Sequence, residues 1–161
     1  MRIGIAADHA GTQLRDAIAA HLRAAGHEVR DLGGPLGPDD DYPEVVVPLA
    51  DAVATGEVER GLFFCGSGIG PAVVANKIPG VRAAVVTDEW SARDAVTHVD
   101  VNLLTIGERV VGSELAKSIV DAYLAARPEG GRHARRREQI AALDARPVTA
   151  DAMQGMRRGV K

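Results

Sequence analysis

The only cysteine of the chain, Cys65, lies directly before a short turn-forming segment. That segment consists of Gly66, Ser67, Gly68, Ile69 and Gly70. An apolar run, 61–64, precedes the cysteine, and Pro71 afterwards suits the first turn of a helix. This pattern is typical of a buried strand, a tight turn and a helix N-terminus, where free N–H groups favour a negatively charged thiolate. Cys65 is therefore a candidate nucleophile or base. A buried, unreactive thiol is the alternative that the same spacing supports equally.

Further candidate groups are Asp8, His9 and Ser67. Asp8 and His9 follow the first predicted strand, where a carboxylate can accept hydroxyl protons and a histidine can contact an anion. The alternative for this pair is a helix-capping aspartate beside a surface histidine. Ser67 can hydrogen-bond a thiolate or a substrate oxygen, although turn geometry alone also explains a serine there. The N–H groups of residues 66–70 can stabilise a developing oxyanion.

Basic side chains recur in the second half of the chain. His98 ends a predicted helix, where a surface histidine is the ordinary interpretation. Arg132 and Arg136 are spaced one helical turn apart and can share one anion. Arg135 and Arg137 point elsewhere on that helix and are expected to be solvated.

Composition limits the class of protein. The 161 residues suit one domain with a core, and the net charge of −3 gives no reason to expect nucleic acid or an anionic membrane as partner. One cysteine excludes an internal disulfide framework and fits the reducing cytoplasm. No leader-like segment or run of membrane-spanning length is present. A soluble cytoplasmic protein is predicted.

Metal and nucleotide motifs are missing from the sequence. Neither a His-x-x-x-His nor a Cys-x-x-Cys pattern occurs, so no metal site is predicted. The 66–70 segment matches neither the phosphate-binding loop nor the dinucleotide fingerprint, which makes a nucleotide-binding stress-type domain a distant alternative. No cofactor is predicted.

Strand and helix patterns alternate along the chain. Strands are predicted at 2–7, 27–32, 61–64, 81–87 and 102–106. Helices are predicted at 11–25, 42–55, 71–77, 89–97, 113–126 and 132–145, with Pro48 kinking the second and Ser113 capping the fifth. This alternation predicts an α/β protein, a three-layer, five-stranded parallel sheet of Rossmann-like or flavodoxin-like type. Residues 1–145 form the domain, and 146–161 form a C-terminal tail, either disordered or packed on a partner subunit.

Ligands of such sheets bind beyond the carboxyl ends of the strands. Asp8, His9, Cys65 and the residues after strand five are therefore expected at that edge. His98 and the two spaced arginines are also expected around it.

The chain resembles the type B ribose-5-phosphate isomerases, a family that includes galactose-6-phosphate and allose-6-phosphate isomerases. The matching segments are 7–11 (ADHAG), 41–43 (DYP), 65–70 (CGSGIG), 75–77 (ANK), 102–112 (NLLTIGERVVG) and 129–133 (EGGRH). They cover roughly residues 1–145 in order. The resemblance implies a cofactor-free isomerase that interconverts an aldose phosphate and a ketose phosphate. It also implies a homodimer with active sites shared between subunits, with further pairing into a tetramer left open.

The resemblance also implies a role for each matching residue. Cys65 would be the base that moves a proton between C2 and C1 through an enediolate, assisted by Ser67, and His98 and Asp8 would open the furanose ring. Phosphate would be held by His9, Arg132 and Arg136, with Arg109 reaching in from the partner subunit. The remaining substrate-binding positions are Tyr42, Gly66, Gly68, Ile69, Gly70 and Val99.

Val99 is a departure from the family pattern, which commonly has asparagine after the ring-opening histidine. A valine removes one polar contact and adds apolar surface. Ribose 5-phosphate is the expected substrate, and a tetrulose phosphate, allose 6-phosphate or galactose 6-phosphate is the alternative. A module that binds sugar phosphates without catalysis is the second alternative.

Overall fold

Five strands and six helices alternate in residues 1–34 and 41–146, the part of the chain that the computed structural model describes. The strands are β1 (Arg2–Ala7), β2 (Glu28–Asp31), β3 (Arg60–Cys65), β4 (Ala83–Val85) and β5 (Leu103–Gly107). The helices are α1 (Thr12–Ala24), α2 (Tyr42–Ala54), α3 (Ile69–Ala75), α4 (Glu89–Val99), α5 (Ser113–Ala125) and α6 (Arg132–Asp144).

All strand pairs are parallel, and the strand order is β2-β1-β3-β5-β4. Helices cover both faces of this sheet, so the predicted three-layer α/β fold is confirmed. The strand order reverses direction between β1 and β3, because the chain extends the sheet from β1 to β2 and then returns to the other side of β1. Such a switch point opens a crevice at the carboxyl ends of the two strands.

Alternate side chains of β3 enter different cores. Leu62 and Phe64 pack with α1, α4 and α5, whereas Phe63 and Cys65 pack with α2 and α3. This two-sided burial explains why the strand reads as one continuous apolar run rather than as an alternating pattern. Cys65 therefore ends the strand with its side chain directed to the α2–α3 face.

Two glycines allow the loops at the carboxyl edge to approach each other closely. A Cβ atom on Gly11 would lie 2.2 to 2.6 Å from backbone atoms of Phe64 and Cys65. A Cβ atom on Gly107 would lie 2.7 to 2.8 Å from the backbone of Ser67. No side chain fits at either position, because backbone cannot give way as the end of a flexible side chain can.

Several predicted boundaries differ from the structure. Helix α3 begins at Ile69, so Pro71 lies within its first turn, and Ser113 is the first residue of α5 rather than its cap. Strand β4 is only three residues long. Its first residue, Ala83, is in register with Leu103 of β5, and the Asn76 amide bonds both the N–H and the carbonyl of Ala83.

Among the described residues, no helix is long and apolar enough to cross a membrane. Residues 35–40 and 147–161 lie outside the described part of the chain, and with them all but the first residue of the predicted tail.

Candidate active site

A cavity of about 410 Å³ lies at the switch point between β1 and β3. We call it the Cys65 pocket. Its lining includes eight of the residues predicted from the sequence: Asp8, His9, Tyr42, Cys65, Gly66, Ser67, Gly70 and Arg109. Three loops, those after β1, β3 and β5, and the first turn of α2 bring these residues together. A larger cavity of about 540 Å³, lined in part by Met1, Glu59 and Arg127, contains none of the predicted residues.

The Cys65 thiol is buried and held by the backbone of its own loop. Its Sγ atom accepts a hydrogen bond from the N–H of Gly68 at 3.0 Å. Gly68 adopts a left-handed conformation, with φ of 83°, and this conformation turns its N–H toward the sulfur. Helix α3 has only seven residues, and the contact to the sulfur comes from this loop N–H. Cys65 thus combines a buried thiol, a backbone hydrogen bond to Sγ and a place in the pocket lining.

Asp8 and Ser67 combine a turn function with access to the pocket. Asp8 is buried, and its Oδ1 atom accepts the N–H of Ala10 at 2.8 Å. The Oγ atom of Ser67 accepts the N–H of Ile69 at 3.3 Å. The alternative of a helix-capping Asp8 is wrong, because Gly11 is the N-cap of α1 and that helix has no side-chain cap bond. The turn interpretation of Ser67 agrees with its contact to Ile69. Each side chain still has a further oxygen lone pair or proton available at the cavity.

The loop after β5 is fastened to the Cys65 loop. The N–H of Glu108 bonds the carbonyl of Cys65 at 2.7 Å, and the N–H of Arg109 bonds the carbonyl of Gly66 at 3.2 Å. The carboxylate of Glu108 also accepts the N–H of Leu14 in the first turn of α1. Arg109 lies in the Cys65 pocket of its own chain, which differs from the expectation that a partner subunit supplies it.

His98 lies at the opposite edge of the sheet, and the prediction that it shares an edge with Cys65 is wrong. A helix that follows a parallel strand runs back toward the amino ends of the strands, so the last turn of α4 reaches that edge. Two residues on, Asp100 forms an ion pair with Arg60, the first residue of β3. The length of β3, roughly 16 Å, separates Arg60 from Cys65.

Around His98 the structure assembles a cluster that we call the His98 cluster: Asp94, His98, Arg132, His133 and Arg137. The rings of His98 and His133 stack with centroids 4.0 Å apart and planes within 6° of parallel. Nδ1 of His98 lies 2.7 Å from Asp94, and the Nε of Arg132 donates to Nε2 of His133 at 3.1 Å. The guanidinium of Arg137 donates to the carbonyl oxygens of His98 and Glu129.

The electrostatics of the His98 cluster favour an anion. Burial lowers the pKa of His133, and the neighbouring charges of His98, Arg132 and Arg136 lower it further against the opposing effect of Glu129. Ligand atoms of His98, Glu129 and His133 lie within 4.8 Å of one another, which is a spacing that a metal ion can use. The three nearby arginines oppose a cation at this point, and they suit a phosphate group instead.

Three other predicted residues lie outside the lining of the Cys65 pocket. Arg136 is exposed on α6, one turn after Arg132. Val99 is partly buried against the larger core. The Ile69 side chain is exposed beside the Cys65 pocket.

Sequence reasoning missed Asp94 and His133 and assigned Arg137 wrongly to solvent. The signal for Asp94 was its spacing four residues before His98, where the two side chains share a helix face. The contacts of Arg137 with His98 and Glu129 span 39 and 8 residues of sequence, and no local sequence pattern predicts them.

Known proteins of similar sequence indicate the family of the chain. A family model described as Ribose/Galactose Isomerase matches residues 3–140. Ribose-5-phosphate isomerase B of Escherichia coli is 46% identical over 145 residues, which are 90% of this chain and 97% of that protein. D-erythrulose-4-phosphate isomerase of Pectobacterium atrosepticum is 40% identical over 141 residues, 87% of this chain and 93% of that protein.

Solved structures give the same result. The ribose-5-phosphate isomerase B of Clostridium thermocellum superimposes with a TM-score of 0.86 at 46% identity, covering 89% of this chain and 97% of that one. The enzyme of Mycoplasma genitalium with bound ribulose-5-phosphate has a TM-score of 0.86 at 37% identity, covering 91% and 97%. The chain belongs to the ribose/galactose isomerase family of sugar-phosphate aldose–ketose isomerases.

Proposed function

We propose that the chain interconverts ribose 5-phosphate and ribulose 5-phosphate, with Cys65 as the base. The observation that carries this proposal is the hydrogen bond from Gly68 N–H to Sγ at the base of the Cys65 pocket. This bond stabilises the thiolate that proton abstraction requires and aims the sulfur at the cavity. The family relationship supports the same reaction class.

The reaction moves one proton between adjacent carbons. The Cys65 thiolate removes the proton from C2 of the open-chain aldose, the C2 electrons form the enediolate, and the thiol returns the proton to C1. The hydroxyl of Ser67 donates a proton to O1 of the sugar and accepts the proton that leaves O2. Loop N–H groups stabilise the enediolate oxygen. Because Gly68 and Ile69 already donate to side chains, we assign this role to the N–H groups of Gly66, Ser67 and Gly70.

Ring opening requires a second copy of the chain. His98 and Asp8 would act on the ring oxygen and the anomeric hydroxyl, yet they lie at opposite edges of the sheet. A homodimer in which the His98 cluster of one copy faces the Cys65 pocket of the other brings them together, and twofold symmetry then completes two sites. His9 and Arg109 from one copy and Arg132 and Arg136 from the other would hold the phosphate.

An exposed apolar surface beside the pocket supports this dimer. Ile69 and Val73 project from the same side of α3 and are 62% and 57% exposed, and Trp90 at the start of α4 is 69% exposed. Val85 on the edge strand β4 is also exposed and lies next to Gly68. Large apolar side chains in such a group are typical of an interface between protein chains.

A cytoplasmic location suits this chemistry, because a free thiol persists in a reducing compartment. No cofactor enters the scheme, since every step is a proton transfer between side chains and substrate.

The test is a ribose 5-phosphate isomerase assay of wild type and Cys65→Ala. If Cys65 is the base, kcat falls about a hundredfold or more. Urea unfolding of both proteins checks that the variant is folded, and Val47→Ala, a change of similar size on α2 and outside the pocket lining, is the matched control. Activity of Cys65→Ala near the wild-type level would refute the assigned mechanism.

A tetrulose 4-phosphate is the second candidate substrate, and Val99 favours it. Val99 follows His98 and is partly buried against the core, and its side chain cannot hydrogen-bond a sugar hydroxyl as an amide there could. Relatives that are named D-erythrulose-4-phosphate isomerases are 40% and 39% identical to this chain. Side-by-side kcat/KM values for ribose 5-phosphate and D-erythrulose 4-phosphate in wild type and Val99→Asn decide between them. An unchanged ratio in Val99→Asn would remove Val99 as a specificity residue.

A further inference from the structure

The last two turns of α4 hold the His98 ring through an acid–histidine pair. Nδ1 of His98 lies 2.7 Å from Oδ1 of Asp94, and both side chains are partly exposed. An ionised carboxylate only accepts hydrogen bonds, so the hydrogen in this contact belongs to Nδ1. The other ring nitrogen, Nε2, is then the one that can accept or release a proton toward a ligand.

We propose that Asp94 is a positioning residue that fixes His98 as the Nδ1–H tautomer and so makes Nε2 its working nitrogen. This inference rests on the proposed function for the identity of the reaction, since it assigns the nitrogen that His98 uses in ring opening. The pairing itself stands on the contact between the two side chains and is independent of the substrate.

His133 covers one face of the same ring. Its Nε2 accepts a hydrogen bond from Nε of Arg132. Because the arginine side chain can only donate, Nε2 of His133 carries no proton, and the ring is neutral with its proton on Nδ1. A neutral ring stacked at 4.0 Å restricts rotation of His98 about its Cβ–Cγ bond. It does so without placing a second positive charge against the His98 ring.

Arg137 fixes the backbone that carries His98. Its two terminal nitrogens donate to the carbonyls of His98 at 3.3 Å and Glu129 at 2.7 Å. The N–H of Glu129 in turn bonds the carbonyl of Thr97 at 2.8 Å. The open C-terminal end of α4 is thereby joined to the segment before α6, and the Cα position of His98 is set together with its ring orientation.

The consequence for ring opening is a defined proton path. Protonated His98 releases its Nε2 proton to the ring oxygen of the furanose as the bond between C1 and that oxygen breaks. The anomeric hydroxyl gives its proton to Asp8 and becomes the carbonyl oxygen at C1. Nδ1 stays protonated and bonded to Asp94 throughout, so the imidazole does not have to rotate between turnovers.

The first test is ¹⁵N NMR of the histidine side chains in the ligand-free protein, with His98 assigned through His98→Asn. In wild type above the titration range of His98, we expect a protonated Nδ1 and an unprotonated Nε2. In Asp94→Leu we expect loss of that preference, and in Asp94→Asn partial retention, because the amide oxygen still accepts. Asp121→Leu removes the carboxylate of the His21 pair and is the matched control, which should leave His98 unchanged. A protonated Nε2 in wild type, or no change in Asp94→Leu, would overturn the proposal.

The second test is a double-mutant cycle in the isomerase assay. Asp94→Leu should lower kcat for ribose 5-phosphate about tenfold in the wild-type background. In the His98→Asn background the same substitution should lower it less than about twofold, because Asp94 acts through His98. Independent, multiplying losses would contradict a positioning role. If wild type does not turn over ribose 5-phosphate, the proposed function fails, while the NMR result still decides the tautomer.

Discussion

The Cys65 pocket and the His98 cluster hold their functional side chains in different ways. In the pocket the backbone does the positioning: Gly68 N–H bonds the thiol, and the loops around it touch at Gly11 and Gly107. In the cluster side chains do it, through the Asp94 pair, the stacked histidines and the Arg137 bridge. Backbone contacts tolerate almost no added volume, whereas a cluster of side chains can keep its remaining contacts when one residue is substituted. The two regions should therefore fail differently when they are altered.

Gly11→Ala should produce the largest effect, because it adds an atom where backbone already lies. The new Cβ would be 2.2 Å from the carbonyl carbon of Phe64, so α1 and β3 must move apart. We expect a loss of about 3 kcal/mol in the free energy of unfolding. Urea unfolding monitored by circular dichroism measures it.

The matched control is Gly130→Ala, close to the His98 cluster. A Cβ there meets no atom within 4 Å, and the backbone φ is not in the left-handed region. Its unfolding free energy should stay within about 0.5 kcal/mol of wild type. Equal destabilisation by the two substitutions would show that the close contact of Gly11 with the backbone of β3 is not what makes Gly11→Ala destabilising.

Mixing two strongly impaired variants should restore activity if the two regions meet across a dimer. Cys65→Ala and His98→Asn would each impair both sites of their own homodimers. A mixed dimer has one site with both residues intact, so random reassociation of equal amounts should recover about a quarter of the wild-type activity. The measurement is kcat per subunit after unfolding and refolding the mixture. No recovery, with mixed dimers verified by mass, would mean that the two regions do not form one site.

The sequence was a better guide to the pocket than to the cluster, for a physical reason. Glycines and a buried apolar run are local signals, so the Asp8 and Cys65 loops were predicted at one edge of the sheet. His98 was assigned to that same edge because its helix was predicted without following its direction, although a helix after a parallel strand must end at the opposite edge.

The short strand β4 was overpredicted for a related reason. Its apolar residues suggest a strand of seven residues, but pairing with β5 covers only Ala83–Val85, and the Asn76 side chain bonds the other side of Ala83. A contact between a side chain and distant backbone leaves no periodic trace in sequence. The same holds for Arg137, whose partner His98 lies 39 residues away.

The His98 cluster should make stability sensitive to acid. The folded-state pKa of His133 is below its ordinary value of 6.5, mainly because burial disfavours the charged ring. The unfolded chain then binds the proton first, so stability is fully present above about pH 6.5 and falls as the pH drops toward the folded-state pKa. His133→Gln should flatten this part of the profile, measured as the urea midpoint between pH 7.5 and 5.

The control for that profile is His9→Gln in the Cys65 pocket. The His9 side chain is exposed, so His9→Gln shows whether the profile responds to the loss of any histidine rather than of the buried one. A His133→Gln profile parallel to wild type would show that burial of this ring is not a source of the acid sensitivity.

Tyr123→Phe should have the smallest effect, and in the favourable direction. The Tyr123 ring is fully buried beneath Arg60, whose guanidinium carbon lies 5.6 Å from the ring centroid. Within the described part of the chain its hydroxyl has no hydrogen-bond partner, and burial raises its pKa, so it stays protonated and unsatisfied. Removing that oxygen keeps the ring and its contact with Arg60 and relieves a desolvation penalty, so we expect unchanged stability or a gain of up to about 1 kcal/mol. Tyr123→Leu, which also removes the ring, should instead destabilise by about 2 kcal/mol or more. A clear loss of stability in Tyr123→Phe would mean that the hydroxyl has a hydrogen-bond partner in solution. The core at the amino edge of the sheet would then depend on a polar contact, as the loops at the carboxyl edge do.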